Sequence, residues 1–306
     1  MGIESKYIWM DGKLVDYEKA TVPFLNSALH YGLGVFEGIR CYDTEKGPAV
    51  FRLQEHMDRL FNSAKVLGFR EIPFTVEELC VATKEVVRAN GFRACYIRPL
   101  IYHSTPNLNL NLDNGVAKVG IAAWEWGNLH GGDAREKGVR ANVSSFTRHH
   151  PNVIMTKAKV TGNYSNSVLA KTESARLGFD EAIMLDPQGY VAECTGENLF
   201  LVRKGQVITP NSATVLEGIT RDSLILLAQD LGFNVKEMLV SRDQLYISDE
   251  IFVCGTAAEV IPVIEVDFRR IGSGTPGPIT HQIQEAYHDL ILGKHPRSKE
   301  WLDYVN

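Results

Sequence analysis

Thr156-Lys157-Ala158-Lys159-Val160-Thr161-Gly162-Asn163-Tyr164 is the stretch on which the reading of this 306-residue chain turns. Two lysines two apart precede a Gly-Asn turn signal, a tyrosine and a helix-like run from Ser167 to Ala175. A lysine carried from strand to helix through a turn of small residues can meet a carbonyl group in a half-buried cleft. Burial there lowers the amine pKa, which suits a nucleophile. Taken alone, the stretch reads more simply as two exposed lysines on a half-polar strand. Its company along the chain decides between the two.

Charged residues at 23% and hydrophobic residues at 44% describe an ordinary globular protein, and the length predicts two domains. A net charge of -5 without a basic run argues against nucleic acid as the main partner. No apolar run reaches membrane-spanning length, and Met1 to Lys6 lacks the apolar core of a signal peptide and the myristoylation pattern, so the expectation is a cytoplasmic protein. Cys41, Cys80, Cys95, Cys194 and Cys254 are scattered and never form a C-x-x-C pair. That fits reduced core thiols and predicts neither a disulfide frame nor a metal site.

From the N-terminus, Tyr7 to Val15 reads as a hairpin around Asp11-Gly12. The run Ala28 to Arg40 holds three glycines within seven residues, with the wrong spacing for a dinucleotide loop, and predicts close backbone packing plus a strand. Ala49 to Arg52 is a short strand, and Gln54 to Leu67 an amphipathic helix. Val76 to Asn90 is a helix opened by a Thr75/Glu78 capping box and closed at Asn90-Gly91. Ala94 to Tyr102 is a strand with Tyr96, Arg98 and Leu100 on one face, followed by an asparagine-rich loop, 104–114, and an apolar strand from Ala117 to Trp126.

Linker composition follows, so the expected division is a domain at 1–125, a linker at 126–134 and a larger domain at 135–306. The second part predicts a strand from Val139 to Phe146, hairpins around Pro187-Gln188-Gly189 and Lys204-Gly205, a helix from Thr220 to Gly232, a buried strand from Glu250 to Cys254 and a closing helix from Ile279 to Leu292. The fold class is mixed α+β in two parts.

Besides the lysine, four pieces carry chemistry. Ala192-Glu193-Cys194-Thr195-Gly196-Glu197 sets two carboxylates near a strand end. Gly218-Ile219-Thr220-Arg221 opens a helix, where N–H groups and a hydroxyl suit a phosphate. Gly255-Thr256-Ala257-Ala258 follows a buried strand with small residues only, and His56 and Arg59 lie close on one helix. Each alone has a structural explanation: a surface charge, an ordinary cap, a solvated arginine.

Together and in order, these pieces resemble the fold-type IV pyridoxal-phosphate enzymes, and most closely the branched-chain amino-acid aminotransferases. The resemblance runs from about Trp9 to Val305. It rests on Phe36-Glu37-Gly38-Ile39-Arg40, Glu55 to Leu60, Tyr96 to Leu100, Lys159 to Tyr164, Glu193-x-x-Gly196-Glu197-Asn198-Leu199-Phe200, Gly218 to Arg221 and Gly255 to Glu259. It implies a small N-terminal α/β domain and a larger C-terminal domain with a pseudo-barrel sheet, the cofactor lying at their junction.

The family's spacing selects Lys159 over Lys157 as the lysine joined to the cofactor's aldehyde and as the catalytic acid/base. By resemblance, Glu193 pairs with the pyridine nitrogen and Tyr164 with the ring hydroxyl. Arg59, Ile219, Thr220 and Thr256 hold the phosphate. The substrate carboxylate would meet Thr256-Ala257 and Tyr96, with Arg98 positioning Tyr96. Phe36, Trp126 and Tyr164 would wall the side-chain pocket, and Arg40 would receive the distal carboxylate of glutamate.

Tyr31 and the 104–114 loop, with Leu108 as its contact, would complete the site of a partner subunit, which implies a homodimer and leaves a hexamer open. That loop, Leu129 and His103 depart from the family pattern and bear on side-chain preference. The implied activity is transfer of the amino group of L-leucine, L-isoleucine or L-valine to 2-oxoglutarate with ping-pong kinetics. A D-amino-acid or (R)-amine transaminase, or an aminodeoxychorismate lyase, shares the fold and is the alternative. A catalytically silent relative is the reading from a different class, countered by Lys159, Glu193, Arg59 and Tyr164 all being present.

Overall fold

Asp11 and Gly12 both take left-handed backbone, at φ 46° and 98°, and reverse the chain between β1 (Tyr7–Met10) and β2 (Lys13–Asp16). This primed turn matches the twist of the strands that it joins. The computed structural model describes residues 5–105, 108, 110–127, 133–211 and 213–306. Leu129 and most of the expected 126–134 linker lie outside the described residues. The chain divides into two compact units.

The first unit comprises Met1–Trp126, Ala158–Asn163 and Leu290–Asn306. Its described strands form one antiparallel sheet. β3 (Gly34–Phe36) and β4 (Ile39–Thr44) both pair with β6 (Cys95–Ser104), β5 (Gly47–Phe51) extends β4, and β7 (Val116–Trp124) joins β6 to β1. The C-terminal strand Leu302–Tyr304 closes the far edge on β5.

A short helix, α1 (Ser27–Tyr31), precedes β3. Helices α2 (Leu53–Leu67) and α3 (Val76–Asn90) pack Met57, Leu60, Ala64, Leu79, Val86 and Val87 against Val35, Ile97, Ile101 and Val119 of the sheet. Met57, Leu60 and Ala64, and likewise Leu79, Ala82 and Val86, recur every three or four positions, so each helix turns one stripe inward. Burying each large side chain contributes roughly 1.5–3 kcal/mol. α3 has the bounds predicted for it: the Thr75 hydroxyl accepts from Glu78 N, and the Glu78 carboxylate accepts from Thr75 N at 2.7 Å. Gly91, at φ 72°, ends the helix.

On β6 the alternation sends Ile97 and Ile101 into the helical core and Tyr96, Arg98 and Leu100 to the opposite face. Register then gathers the site face, because Phe36 lies opposite Leu100, and both Arg40 and Trp124 lie opposite Tyr96.

Between β3 and β4 sits Glu37, whose side chain has no solvent exposure. Its carboxylate accepts Arg59 Nε at 2.6 Å and Arg59 Nη2 at 2.9 Å, His56 Nδ1 at 2.7 Å and Gly38 N at 3.2 Å. Burial pushes this carboxyl up, but the Arg59 guanidinium and His56 beside it outweigh burial and hold it well below the ordinary carboxylate range. Burial depresses the His56 imidazole against the pull of Glu37, so His56 is neutral and donates its Nδ1–H. The cluster joins the β3–β4 bend to α2.

The second unit comprises Gly127–Lys157 and Tyr164–Asp289. Its mixed sheet orders β10 (Val191–Cys194), β9 (Glu181–Leu185), β8 (Val139–Val143), β15 (Glu259–Val266), β14 (Glu250–Gly255), β11 (Asn198–Arg203), β12 (Gln206–Pro210) and β13 (Val235–Met238), with β16 (Arg269–Arg270) on β15. The predicted hairpins are β9–β10 and β11–β12, the latter turning at Lys204 and Gly205, both left-handed. Phe200 and Phe252 stack across β11 and β14 at 4.9 Å. Helices α5 (Tyr164–Arg176), α6 (Ile219–Asp230) and α8 (Pro278–Ile291) accompany two short turns of helix, α4 (Ala134–Lys137) and α7 (Arg242–Tyr246).

Four expectations need correction. The lysine stretch is not a strand: residues 156–159 form a turn, and Val160 makes only an isolated bridge to Val35. The segments 158–163 and 290–306, expected in the later domain, group with the first unit because Val160 bridges to β3 and Leu302–Tyr304 pairs with β5. β8 stops at Val143 rather than Phe146, because Glu173 of α5 draws off the Ser144 hydroxyl at 2.6 Å and Ser145 N at 2.9 Å. The helix after the lysines begins at Tyr164, three residues before the expected start.

Removing the cap with Thr75→Ala costs about 1 kcal/mol, seen as a small fall in Tm with kcat unchanged. Glu37→Gln leaves buried cationic donors short of their acceptor and lowers stability by roughly 3 kcal/mol in urea unfolding. The folded Glu37 carboxyl lies below its unfolded value, so its stabilisation is complete above the ordinary carboxylate range and is lost as pH falls through and below it. His56, also depressed on folding, adds an acid-side loss that begins near pH 6.5. Unfolding of the parent between about pH 7 and pH 2 therefore shows stability falling with acid, and the part of that fall below the ordinary carboxyl value of 4.5 flattens in Glu37→Gln.

Candidate active site

Val35 bridges to Val160, and Phe36 N donates to Lys159 O at 3.0 Å, so the lysine segment is fastened to β3. Lys159 N donates to the Ser63 hydroxyl of α2 at 3.0 Å. The Thr161 hydroxyl donates to Gly32 O at 2.8 Å. At Gly32 the backbone is left-handed, and a Cβ there would lie 2.7 Å from Gly162 Cα. Gly32 must therefore be glycine at this crossing, whereas a Cβ on Gly162 would sit tightly, 3.3 Å from Gly32 O.

These contacts turn the half-buried Lys159 side chain toward the site face, where Nζ lies 5.1 Å from the Phe36 ring centroid. Lys157 is elsewhere: in the second unit its amine meets Val215 O at 3.1 Å and Glu217 at 3.4 Å, an exposed pair. Of the two lysines, Lys159 is the one fastened to β3 beside Phe36.

Around Phe36 the first unit assembles a cationic and aromatic surface. Arg98 lies over the Phe36 ring at 4.6 Å and over Tyr96 at 5.4 Å, and its Nη2 donates to the Tyr96 hydroxyl at 3.4 Å. Trp126 contacts Tyr96 with centroids 5.1 Å apart, and Arg40 stacks over Tyr42 at 5.4 Å. Each ring face offers electron density to a cation. Arg59, on α2, is oriented by Glu37. Tyr31 is exposed and donates weakly to Leu108 O at 3.5 Å, so these two residues share one stretch of surface.

In the second unit the central feature is Glu193, on β10 and 6% exposed. One carboxylate oxygen, Oε1, meets Arg148 Nη2 at 3.0 Å. The other, Oε2, accepts Leu216 N at 3.0 Å and Asn198 Nδ2 at 3.3 Å. Asn198 Nδ2 also donates to Leu216 O at 3.0 Å, tying the 214–218 segment to β11.

That segment leads into α6, with Gly218 at its N-cap and Ile219 and Thr220 as the first helical residues, both buried. Asp222 N donates to Gly218 O at 2.9 Å, so the amides of Ile219 and Thr220 precede the first intrahelical bond and point from the helix start. A Cβ on Gly218 would come within 1.9 Å of Asn198 Oδ1. Thr256 and Ala257 form the half-buried turn from β14 to β15. Tyr164 opens α5.

Within the first unit, then, Lys159, Phe36, Arg40, Tyr96, Arg98 and Trp126 belong to one sheet face and its attached segment. Within the second, Glu193 and the start of α6 are linked through Asn198 and Leu216. Arg148 is absent from the site residues expected from sequence, being a buried arginine in the string Thr147-Arg148-His149-His150 with nothing local to mark it. Glu37 and Asn198 were likewise without an expected role, although both lie in the motifs that carry the resemblance. Asn198, five residues after Glu193 across a strand-to-strand turn, had a usable signal in that spacing.

The donor sets suit pyridoxal phosphate: a half-buried primary amine, a buried carboxylate able to face a ring nitrogen, and a helix start with a glycine where a side chain would intrude. Among the described residues no group of histidine, cysteine and carboxylate side chains is arranged to hold a metal ion, and no helix is long and apolar enough to cross a membrane.

The family model for amino-transferase class IV matches residues 34–266. The branched-chain-amino-acid aminotransferase of Pseudomonas aeruginosa is 48% identical over 298 residues, covering 97% of each chain. That of Escherichia coli strain K12 is 46% identical over 305 residues, covering 99% of this chain and 98% of that one. Among solved structures, a T.th. branched-chain amino acid aminotransferase with pyridoxamine 5'-phosphate superposes with a TM-score of 0.96 at 53% identity over the whole of both chains. The chain belongs to the class IV aminotransferases and, within them, to the branched-chain amino-acid aminotransferase family of fold type IV.

Proposed function

We propose that Lys159 carries the reaction of a pyridoxal-phosphate-dependent transaminase that moves the amino group of L-leucine, L-isoleucine or L-valine to 2-oxoglutarate. The observation that carries this assignment is the Lys159 amine over Phe36, held by backbone to β3 on the face bearing Tyr96 and Arg98. When bound, pyridoxal phosphate supplies an electrophilic carbonyl carbon and a ring able to take up an electron pair. Lys159 holds that carbon, yields it to the substrate amine, and then moves the proton from the substrate α-carbon as general base and acid.

Glu193 accepts the N–H of the ring nitrogen, and Tyr164 binds the ring hydroxyl. Arg59, the amides of Ile219 and Thr220, the Thr220 hydroxyl and Thr256 take the phosphate. A helix start and a guanidinium are both suited to a dianion.

For substrate, the Tyr96 hydroxyl and the Thr256-Ala257 turn hold the α-carboxylate, and Arg98 orients Tyr96 through its hydrogen bond. Phe36, Trp126 and Tyr164 offer apolar walls for branched side chains, and Arg40 meets the distal carboxylate of glutamate. The T.th. relative, at 51–52% identity, was solved with N-(5'-phosphopyridoxyl)-L-glutamate and with 4-methylvaleric acid, an acidic and a branched apolar ligand that fit this division. Tyr31 and the loop around Leu108 are assigned to the neighbouring site of a homodimer, in the cytoplasm. The D-amino-acid, amine and lyase alternatives are not favoured, since the relatives of 46–48% identity are branched-chain enzymes.

Adding L-leucine without any 2-oxo acid bleaches the visible band of the purified holoenzyme, and D-alanine leaves it unchanged. A response to D-alanine alone would overturn the substrate assignment. Lys159→Ala lowers kcat by more than roughly 10³-fold in a leucine/2-oxoglutarate assay. Gly218→Ala, with its methyl against Asn198, raises the Kd for pyridoxal phosphate in apoprotein titration and costs about 1–3 kcal/mol of stability.

A further inference from the structure

Against the Glu193 carboxylate lies a buried arginine that the reaction has not so far used. Arg148 is 8% exposed, and its backbone N donates to Leu185 O at 2.8 Å, which anchors it beside β9. Nη2 meets Glu193 Oε1 at 3.0 Å, Nη1 meets Asn166 Oδ1 at 3.4 Å, and Nε is buried without a hydrogen-bond partner. An arginine held this way, with one nitrogen left unsatisfied, is positioned for its charge rather than for a complete set of hydrogen bonds.

A carboxylate taken out of water favours its protonated form unless a cation or several N–H donors stabilise the anion. Glu193 has both: Arg148 on one oxygen, Leu216 N and Asn198 Nδ2 on the other. A ring nitrogen facing this carboxylate shares one proton with it. Each contact that stabilises the anion moves that proton from the carboxyl to the nitrogen. Of these, only Arg148 brings a full charge, in surroundings of low dielectric where a charge acts strongly. The two neutral donors continue to orient the carboxylate in its absence.

We propose that Arg148 is a positioning residue that keeps Glu193 ionised, and so places the shared proton on the ring nitrogen of the cofactor rather than on the carboxyl. This rests on the pairing of Glu193 with that nitrogen given above. It separates two roles within one cluster: Leu216 and Asn198 set where the carboxylate points, and Arg148 sets its charge. A protonated nitrogen is what would let the bound cofactor's ring accept an electron pair from the α-carbon. With the proton on Glu193, that capacity is lost while cofactor contacts remain.

The test is ¹⁵N NMR of the holoenzyme loaded with pyridoxal phosphate labelled at the ring nitrogen. The parent protein gives the pyridinium position, Arg148→Gln moves the resonance to the neutral-pyridine side, and Arg148→Lys, which keeps the cation, returns it. A purely structural arginine would change stability without moving this resonance. If Glu193→Gln shifts the signal and Arg148→Gln does not, the proposal is wrong and the Glu193 pairing stands. If neither substitution moves it, the pairing itself fails and the proposal falls with it.

Should Arg148→Gln not retain the cofactor, infrared spectra of the cofactor-free protein decide. Arg148→Gln is expected to show a protonated-carboxyl band beyond any that the parent gives from Glu181, whose carboxyl burial and Glu197 push up, and the Arg148→Gln/Glu193→Gln double variant lacks that extra band. No such band in Arg148→Gln overturns the proposal.

Discussion

The antiparallel bridge between Val35 and Val160, with Phe36 N–H on Lys159 C=O at 3.0 Å, is the constraint on which the first unit and its candidate nucleophile depend. It joins segments more than a hundred residues apart in sequence, and the entropy of closing so long a loop grows only slowly with its length. What must be met is steric. The chain returning from the second unit has to pass at Gly162 close against Gly32, where no side chain fits on Gly32, and present Ala158 and Val160 to the helix–sheet core. Once those apolar residues are buried, Lys159 between them has only the other direction to point. Its orientation thus follows from the parity of its neighbours, not from any property of lysine.

Two buried carboxylates show one solution to a common problem. Glu37 and Glu193 each surrender hydration, and each recovers it from an arginine together with backbone or neutral side-chain donors. For Glu37 the pair is bidentate and joined by His56, and it locks a strand bend onto a helix. For Glu193, Arg148 Nη2 meets Oε1, while Oε2 is held by Asn198 and Leu216. A bidentate pair closes on itself. A carboxylate gripped at its edges keeps its direction while retaining a charge that a ligand can use.

Much of the local structure was legible because it is governed by local chemistry. The Thr75/Glu78 capping box and Gly91 delimit α3 as predicted, and Asp11-Gly12 and Lys204-Gly205 turn their hairpins with left-handed residues. Lys159, Glu193 and the start of α6 were likewise marked by short motifs. Less legible were β15, which carries Glu259–Val266 through the centre of the second sheet, and the irregular backbone at 156–159, whose alternation imitated a strand. A buried strand and a turn tied to distant partners differ in pairing, which no short window contains. Arg148 escaped notice for a related reason: an arginine is ordinarily exposed, and only the fold reveals one that is buried against a carboxylate.

By itself the sequence determined most element types and the family, and it named candidate groups to hold a cofactor and move a proton, because periodicity, caps and motif spacing act over a few residues. Tertiary structure alone decided which of two lysines joins β3, which segments after residue 157 return to the first unit, and how Glu37 and Glu193 are compensated. These outcomes depend on strand register, on the parity of buried neighbours and on the removal of water from paired charges, and such quantities exist only when residues far apart in the chain have been brought together.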